Sequence, residues 1–239
     1  MNRAWRAAVK EAIAEKPHRD TREITNHTFR VPNMLESVLT VPERNISYQF
    51  MAAEAYWIIT GRNDLAFLKD YAPSYSRFSD DGVTLNGAYG PPFLNQIDYV
   101  VRCLETDSTS RQAVLTLWKQ NPAASKDIPC TVAMNFYVRD GLLNLTVFMR
   151  SSDIWLGLPY DTYSFSCMGL LVAQRLGMHV GSLTNFATSR HLYNRNLKSA
   201  QKIATQGLFT PNDIAQSATK KPYLFNEKPV VEMLSDFLG

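Results

Sequence analysis

A chain of 239 residues with 45% hydrophobic content is long enough to bury a large core, and no Pro/Gly/Ser-rich linker or charge block divides it, so one domain over 1–239 is expected. A formal net charge of +3 is too mild for a nucleic-acid-binding surface, although it suits small anionic ligands, and the longest apolar runs, such as "GLLVAQRLGM", are broken well short of membrane-spanning length. Three widely spaced cysteines, Cys103, Cys130 and Cys167, argue against a disulfide framework or a zinc site; with "MNRAWRAAVKEAIAEK" lacking an uncharged apolar stretch, they lead us to expect a cytoplasmic protein with no metal, no membrane and no nucleic acid among its partners.

In chain order, Ala4, Trp5, Ala7, Ala8 and Ile13 recur at helical spacing over 4–14, and Ile46, Phe50, Ala53, Trp57 and Ile58 do so over 46–60. Gly61 falls where a C-cap belongs, and Asn63 or Asp64 offers the next N-cap. The Ser/Asp/Gly/Pro-rich stretch 74–93 reads as a loop, and helical period returns over 94–105. "AVLTLW", "CTVAMNFYV" and "LLNLTVFMR" have the β-branched and aromatic content of strands, with a hairpin turn at Asp140-Gly141 between the last two. After a loop over 151–161, "TYSFSCMGLLVAQRLG" reads as a buried helix closed by Gly177, and "HVGSLTNFATSRHLY" as a strand running into a helix. The last thirty residues carry no clear pattern. The sum is an α+β, layered fold: a mixed central β-sheet covered by helices, without a Rossmann glycine signature.

"DIPC", "FYVRDGLLNLTVFMRSSDIWLGLPYD" and "SRHLY" contain, in this order, a Pro-Cys pair ahead of a hairpin, an Arg-Ser-x-Asp-x-x-x-Gly segment and a His-x-Tyr pair. Together they resemble the thymidylate synthase and deoxycytidylate hydroxymethylase family. The similarity runs from about Arg19 to Tyr193, with "AEAYWIITG" similar to the family's glutamate-bearing helix and "GAYG" to its tyrosine turn. The resemblance implies the thymidylate synthase fold, a homodimer formed through the sheet, and 5,10-methylenetetrahydrofolate as co-substrate.

Residue by residue, it implies that Cys130 is the nucleophile that adds to C6 of a pyrimidine nucleotide, its thiolate favoured by nearby guanidinium groups. A lone Cys130 would otherwise read as a small core residue. Arg150, with Ser151, Arg111 and either Arg19 or Arg22, resembles the phosphate clamp, Arg111 reaching in from the partner subunit. Taken singly, Arg150 is a strand-end charge. Gln112 stands where the family has a second arginine, which weakens that match. His191 and Tyr193 resemble the pair that binds the sugar hydroxyl, and both face one ligand only if the backbone there is not helical. Glu54, a carboxylate on an apolar helix face, is expected to handle protons near the base, and Tyr89 to stand beside the C5 proton. Asp153 and Gly157 match residues at the folate ring. Trp57 and Tyr75 either flank the folate or belong to the core; Tyr75 and Phe78 stand where thymidylate synthases have two tryptophans.

Asp161 is an N-cap on the plain reading. Thymidylate synthases show Asn at the matching position, whose amide complements the N3–H and O4 of uracil. Cytosine presents N3 as acceptor and N4 as donor, so a carboxyl sharing one proton with N3 satisfies it. Burial without an adjacent cation would raise the Asp161 pKa towards that role and let it act as an acid when the thiolate adds. Thr131, where thymidylate synthases have His, also resembles the deoxycytidylate enzymes. The expected activity is 5-hydroxymethylation of dCMP, with CMP as an alternative substrate, methylation by hydride as an alternative outcome, and a silent nucleotide- or RNA-binding relative as the non-enzymatic alternative.

Overall fold

The computed structural model describes residues 1–206, 225–226 and 228–239. Helix α1 (Asn2–Ala14) buries Trp5, Ala8, Val9 and Ala12 on one face, and the Trp5 indole N–H donates to the Ile154 carbonyl at 2.8 Å. Strands β1 (Pro17–His18) and β2 (Thr21–Val31) follow; neither was expected. Helix α2 (Tyr48–Ile59) is capped by Ser47 and is buried along most of its length, α3 (Leu65–Lys69) is capped by Asp64, which accepts from Phe67 N at 3.0 Å, and Gly61 takes the left-handed φ of 75° past the end of α2.

The 74–93 loop is shorter than its composition suggests. Pro73–Arg77 forms a 3-10 turn, and α4 (Gly90–Thr106) starts four residues early because Pro91 and Pro92 sit in its first turn, where a missing N–H costs nothing. Strand β3 (Val114–Thr116) precedes the hairpin of β4 (Thr131–Arg139) and β5 (Leu142–Asp153). The hairpin turns at Asp140 and Gly141, both at positive φ, as a two-residue connection between right-twisted strands requires. Helix α5 (Gly157–Arg175) then crosses to β6 (His179–Tyr193), and α6 (Leu197–Ala204) and α7 (Val230–Leu238) complete the described helices.

The six strands pair in the order β1-β2-β6-β5-β4-β3. All neighbours are antiparallel except β5 and β6, which are parallel and joined through α5. The sheet is therefore mixed, as expected. Among the described residues, no helix is long and apolar enough to cross a membrane.

Burial changes phase along one row of this sheet. In β5 the buried side chains are Leu143, Leu145, Val147 and Met149, then Ser152; in β6 from Leu183 onward they are Leu183, Asn185 and Ala187, then Arg190 and Leu192; in β2, Ile24, then Phe29 and Val31. Arg150, Thr188 and Asn26 lie at the changeover, between the paired residues on either side, and Asn26 has a φ of 54°. Past this row Ser151, His191 and Tyr193 turn away from the core. The same row hides the strand ends from a period-two reading: β5 continues to Asp153 where a loop was expected, and β6 stays extended through all fifteen residues where a strand running into a helix was expected.

On the other face of the sheet the rings of Phe148 and Phe186, paired across β5 and β6, lie 6.5 Å apart, and Phe148 remains 43% exposed.

Candidate active site

Cys130 ends the segment that leads into β4. Its carbonyl accepts from Arg150 N at 2.9 Å, while the Arg150 guanidinium donates to the carbonyls of Pro129 and Ile128, each at 3.0 Å. Arg150 thus braces the Cys130 loop from β5, with its Cζ 5.8 Å from the Trp118 ring centroid. Three elements meet Cys130 around a cavity of about 160 Å³: α2 supplies Glu54 and Trp57, α5 supplies Asp161, and the segment before α4 supplies Tyr75, Gly87 and Tyr89. Asp127, three residues before Cys130, lines the same space.

The electrostatics are those of carboxyls removed from water. Burial raises Glu54 to about 7, opposed by a hydrogen bond from the Tyr75 hydroxyl at 2.5 Å. Burial first, and then the neighbouring Glu54, raise Asp161 to about 8. Burial also raises the phenols of Tyr75 and Tyr89 well above the usual value.

Three expectations are corrected here. Arg150 does pull the Cys130 thiol downward, but burial outweighs it and Asp161 and Asp127 add to the rise, so in this cavity the thiol form is favoured. Asp161 is not without a cation, because Arg190 acts on it; burial and Glu54 outweigh that charge as well. Nor is Asp161 a helix cap. It is the fifth residue of α5, whose N-cap position is Leu156, and its Oδ2 would lie 3.2 Å from a Cβ placed on Gly157. A side chain at 157 would crowd the carboxyl.

The remaining candidates lie outside the cavity wall. Asp153 Oδ1 accepts from Trp155 N at 2.8 Å and Leu156 N at 3.1 Å, which shapes the turn into α5. Ser151 Oγ lies 3.5 Å from His191 Nδ1, and the rings of His191 and Tyr193 meet edge-on with centroids 5.0 Å apart. Their i, i+2 spacing in an extended strand puts both on one side. Burial lowers the His191 pKa, which favours the neutral ring.

Arg19 and Arg22 are told apart by what they touch. Arg22 donates to the Ile13 carbonyl at 3.0 Å and also to that of Glu15, closing the end of α1. Arg19 stands exposed at the β1–β2 turn with a φ of 54°. Thr21 pairs with Tyr193 and Asn194 N donates to the Asp20 carbonyl at 2.8 Å, so this turn borders the His191–Tyr193 end of β6. Arg111 is exposed ahead of β3, at the opposite edge of the sheet. Among the described residues no cluster of His, Cys, Asp or Glu has the arrangement of a metal site.

The thymidylate synthase family model matches residues 6–224, nearly the whole chain. The chain belongs to the thymidylate synthase family. A deoxyuridylate hydroxymethyltransferase of Bacillus phage SP01 is 32% identical over 208 residues, 77% of this chain and 54% of that protein. A deoxyuridylate hydroxymethyltransferase of Pseudomonas phage M6 is 29% identical over 198 residues, 79% of this chain and 56% of that protein. The chain spans about half the length of these curated relatives.

Within this member of the thymidylate synthase family, three residues near the site escaped the sequence reading. Arg190, fully buried, donates to Ser152 Oγ at 3.0 Å and to Asn185 Oδ1 at 2.8 Å. Burial lowers it to about 10, against the pull of Asp161. Its place immediately before the His-x-Tyr pair gave no hint that it turns inward. Arg195 lays its Cζ 4.0 Å from the Tyr193 ring centroid. Asp127 had a visible signal, a charge three residues before Cys130 in the Pro-Cys motif, that the reading passed over.

Proposed function

We propose that this chain transfers a one-carbon unit from 5,10-methylenetetrahydrofolate to C5 of a deoxypyrimidine nucleotide, dCMP, and that water then completes a 5-hydroxymethyl group. The observation that carries this reading is one cavity shared by Cys130, Glu54 and Asp161. Cys130 gives its proton to water beside Glu54 and its Sγ adds to C6, which breaks the ring's conjugation and makes C5 nucleophilic. Asp161, neutral below about pH 8, donates its O–H to N3 of cytosine and accepts from the N4 amino group. As the thiolate adds, electron density moves to N3 and the acid transfers its proton there. Glu54, poised near pH 7, passes protons to and from water beside the base, and Tyr89 stands by the C5 proton. After the one-carbon unit has joined C5 with tetrahydrofolate as the leaving group and the C5 proton has left beside Tyr89, water adds to the exocyclic carbon, Asp161 takes back the N3 proton, and loss of the thiolate from C6 restores the ring.

Trp57, Tyr75 and Phe78 give the cavity flat apolar walls, which suit the folate ring, with Asp153 and Gly157 at its edge; when bound, the folate supplies carbon at the oxidation level of formaldehyde. Arg19, Arg150 and Ser151 hold the phosphate, and His191 and Tyr193 the sugar hydroxyl. Arg111 completes the clamp from a second copy of the chain. Arg19 and Arg111 flank opposite edges of a six-stranded sheet, roughly 24 Å apart at about 4.8 Å per strand step, too far for one chain to close both on one phosphate. Phe148 and Phe186 provide an apolar surface on the outer sheet face for a homodimer.

A second reading, dUMP as substrate, is favoured by the names of the two phage relatives. It has a physical basis in Asp161, since a neutral carboxyl also complements uracil by donating to O4 and accepting from N3–H, whereas an ionised one is complementary only to a donor. Incubation with dCMP, CMP or dUMP plus methylenetetrahydrofolate, followed by mass analysis of the nucleotide, separates these readings. Hydroxymethyl-dCMP is expected. A product from dUMP alone would transfer the assignment to uracil, a methyl product would put hydride in place of water, and no product from any nucleotide would overturn the enzymatic reading.

A further inference from the structure

The segment before Cys130 is fastened to the segment before Tyr89. Asp127 Oδ2 accepts the Gly87 N–H at 2.7 Å, and the Asp127 carbonyl accepts from Asn86 Nδ2 at 2.9 Å. One turn further out, Asp80 accepts from Ser125 Oγ and from Lys126 N. Gly87 explains itself by this contact: its φ is not among the positive ones, yet a Cβ there would lie 2.7 Å from Asp127 Oδ1 and 3.0 Å from Oδ2. The backbone is bare because a carboxylate lies against it. Two residues after Gly87 comes Tyr89, and three after Asp127 comes Cys130, so the fastening sets the separation of phenol and thiol.

Glu54 and Asp161 are used by the proposed chemistry; Asp127, the third carboxyl on the cavity wall, is not. We propose that Asp127 is a positioning residue for Cys130: its side chain latches the nucleophile loop to the Tyr89 turn, and its negative charge faces the thiol. This rests on the reading of Cys130 as the nucleophile. The charged and titratable groups that act on or feel Cys130 are Arg150 from β5, Asp161 from α5, Tyr89 at the start of α4 and Asp127 on its own loop. Arg150 alone of these favours the thiolate. Asp127 therefore restrains the thiol while it aligns it, and the two effects separate by substitution.

The test uses iodoacetamide alkylation of Cys130 across pH, read by peptide mass in a Cys103→Ser background, Cys167 being fully buried. Asp127→Asn keeps an oxygen for the Gly87 N–H and removes the charge. Its alkylation profile is expected to move to lower pH, with a several-fold faster rate near neutrality and an unchanged thermal midpoint. An unmoved profile would overturn the charge assignment. Asp127→Ala removes the latch, and turnover is expected to fall on the order of ten- to a hundred-fold, the scale of displacing a reacting group by about an ångström. Parent-like turnover would overturn the latch. Gly87→Ala pushes the carboxylate away and provides an independent route should Asp127→Ala not fold. Its turnover is expected to fall on the same scale, and added to Asp127→Ala it is expected to leave the alkylation rate of Cys130 unchanged, because both break one contact and the charge is already gone; a further, additive change would also overturn the latch. Alkylation needs no substrate, so failure of the proposed reaction, seen as no product in the parent, is distinguishable from failure of this inference.

Discussion

The Tyr75 hydroxyl donates to Glu54 Oε1 at 2.5 Å, and this bond opposes the rise that burial imposes on the carboxyl. A donor to a carboxylate favours its charged form, so Tyr75→Phe should lift Glu54 further above about 7. The expected outcome is an upward shift of the limb of the pH–turnover profile that reports Glu54, with lower turnover at neutral pH. An unmoved limb would detach Glu54 from the rate.

Asp161→Asn tests both stability and base choice. The folded carboxyl keeps its proton up to about pH 8, whereas its ordinary value is 3.8. Folding is therefore penalised increasingly as pH rises through that window, and the penalty is absent below it. The Asn variant should be more stable than the parent at pH 8, by on the order of a few kcal/mol, with the gain vanishing towards pH 4 in urea melts. A gain independent of pH would remove the titration as its cause. In turnover, dCMP should lose heavily and dUMP should gain. Retained preference for dCMP would deny Asp161 any part in reading the base.

Cys130→Ser should fold and bind nucleotide but form no product, because a serine hydroxyl stays protonated where even the thiol is held back by burial. Product mass analysis after long incubation checks it. Substantial turnover would exclude Cys130 as nucleophile.

Mixing an Arg111→Ala chain with a Cys130→Ala chain should restore part of the activity, since one of the two sites in a heterodimer then has both residues intact. Heterodimers verified by differential tagging but silent in the assay would place Arg111 outside the partner's site.

Gly169→Ala tests the packing of α5 on the core. The added Cβ would lie 2.5 Å from Met34 Sδ and 3.8 Å from Leu145 Cδ2, and Met34 is fully buried. A destabilisation of about 1–3 kcal/mol is expected, read as a lower urea midpoint. An unchanged midpoint would mean that Met34 swings aside freely.

What was legible in the sequence was local. Helices α1 and α2 follow from apolar spacing, and the Asp140-Gly141 turn from the positive φ that such residues tolerate. The ordered motifs around Cys130, Asp153 and His191 were sufficient to suggest the family. The course of the sheet past Asn26, Arg150 and Thr188 was decided only in three dimensions, because adjacent strands change phase together and no single strand carries the sign of it. Charge states were decided there too. Arg190 and Glu54, distant in sequence, both act on Asp161, and Asp127 and Arg150 act in opposite senses on Cys130. Spacing along a chain names the groups that could meet; desolvation and the distances between them, which only the folded backbone sets, determine which protons they keep.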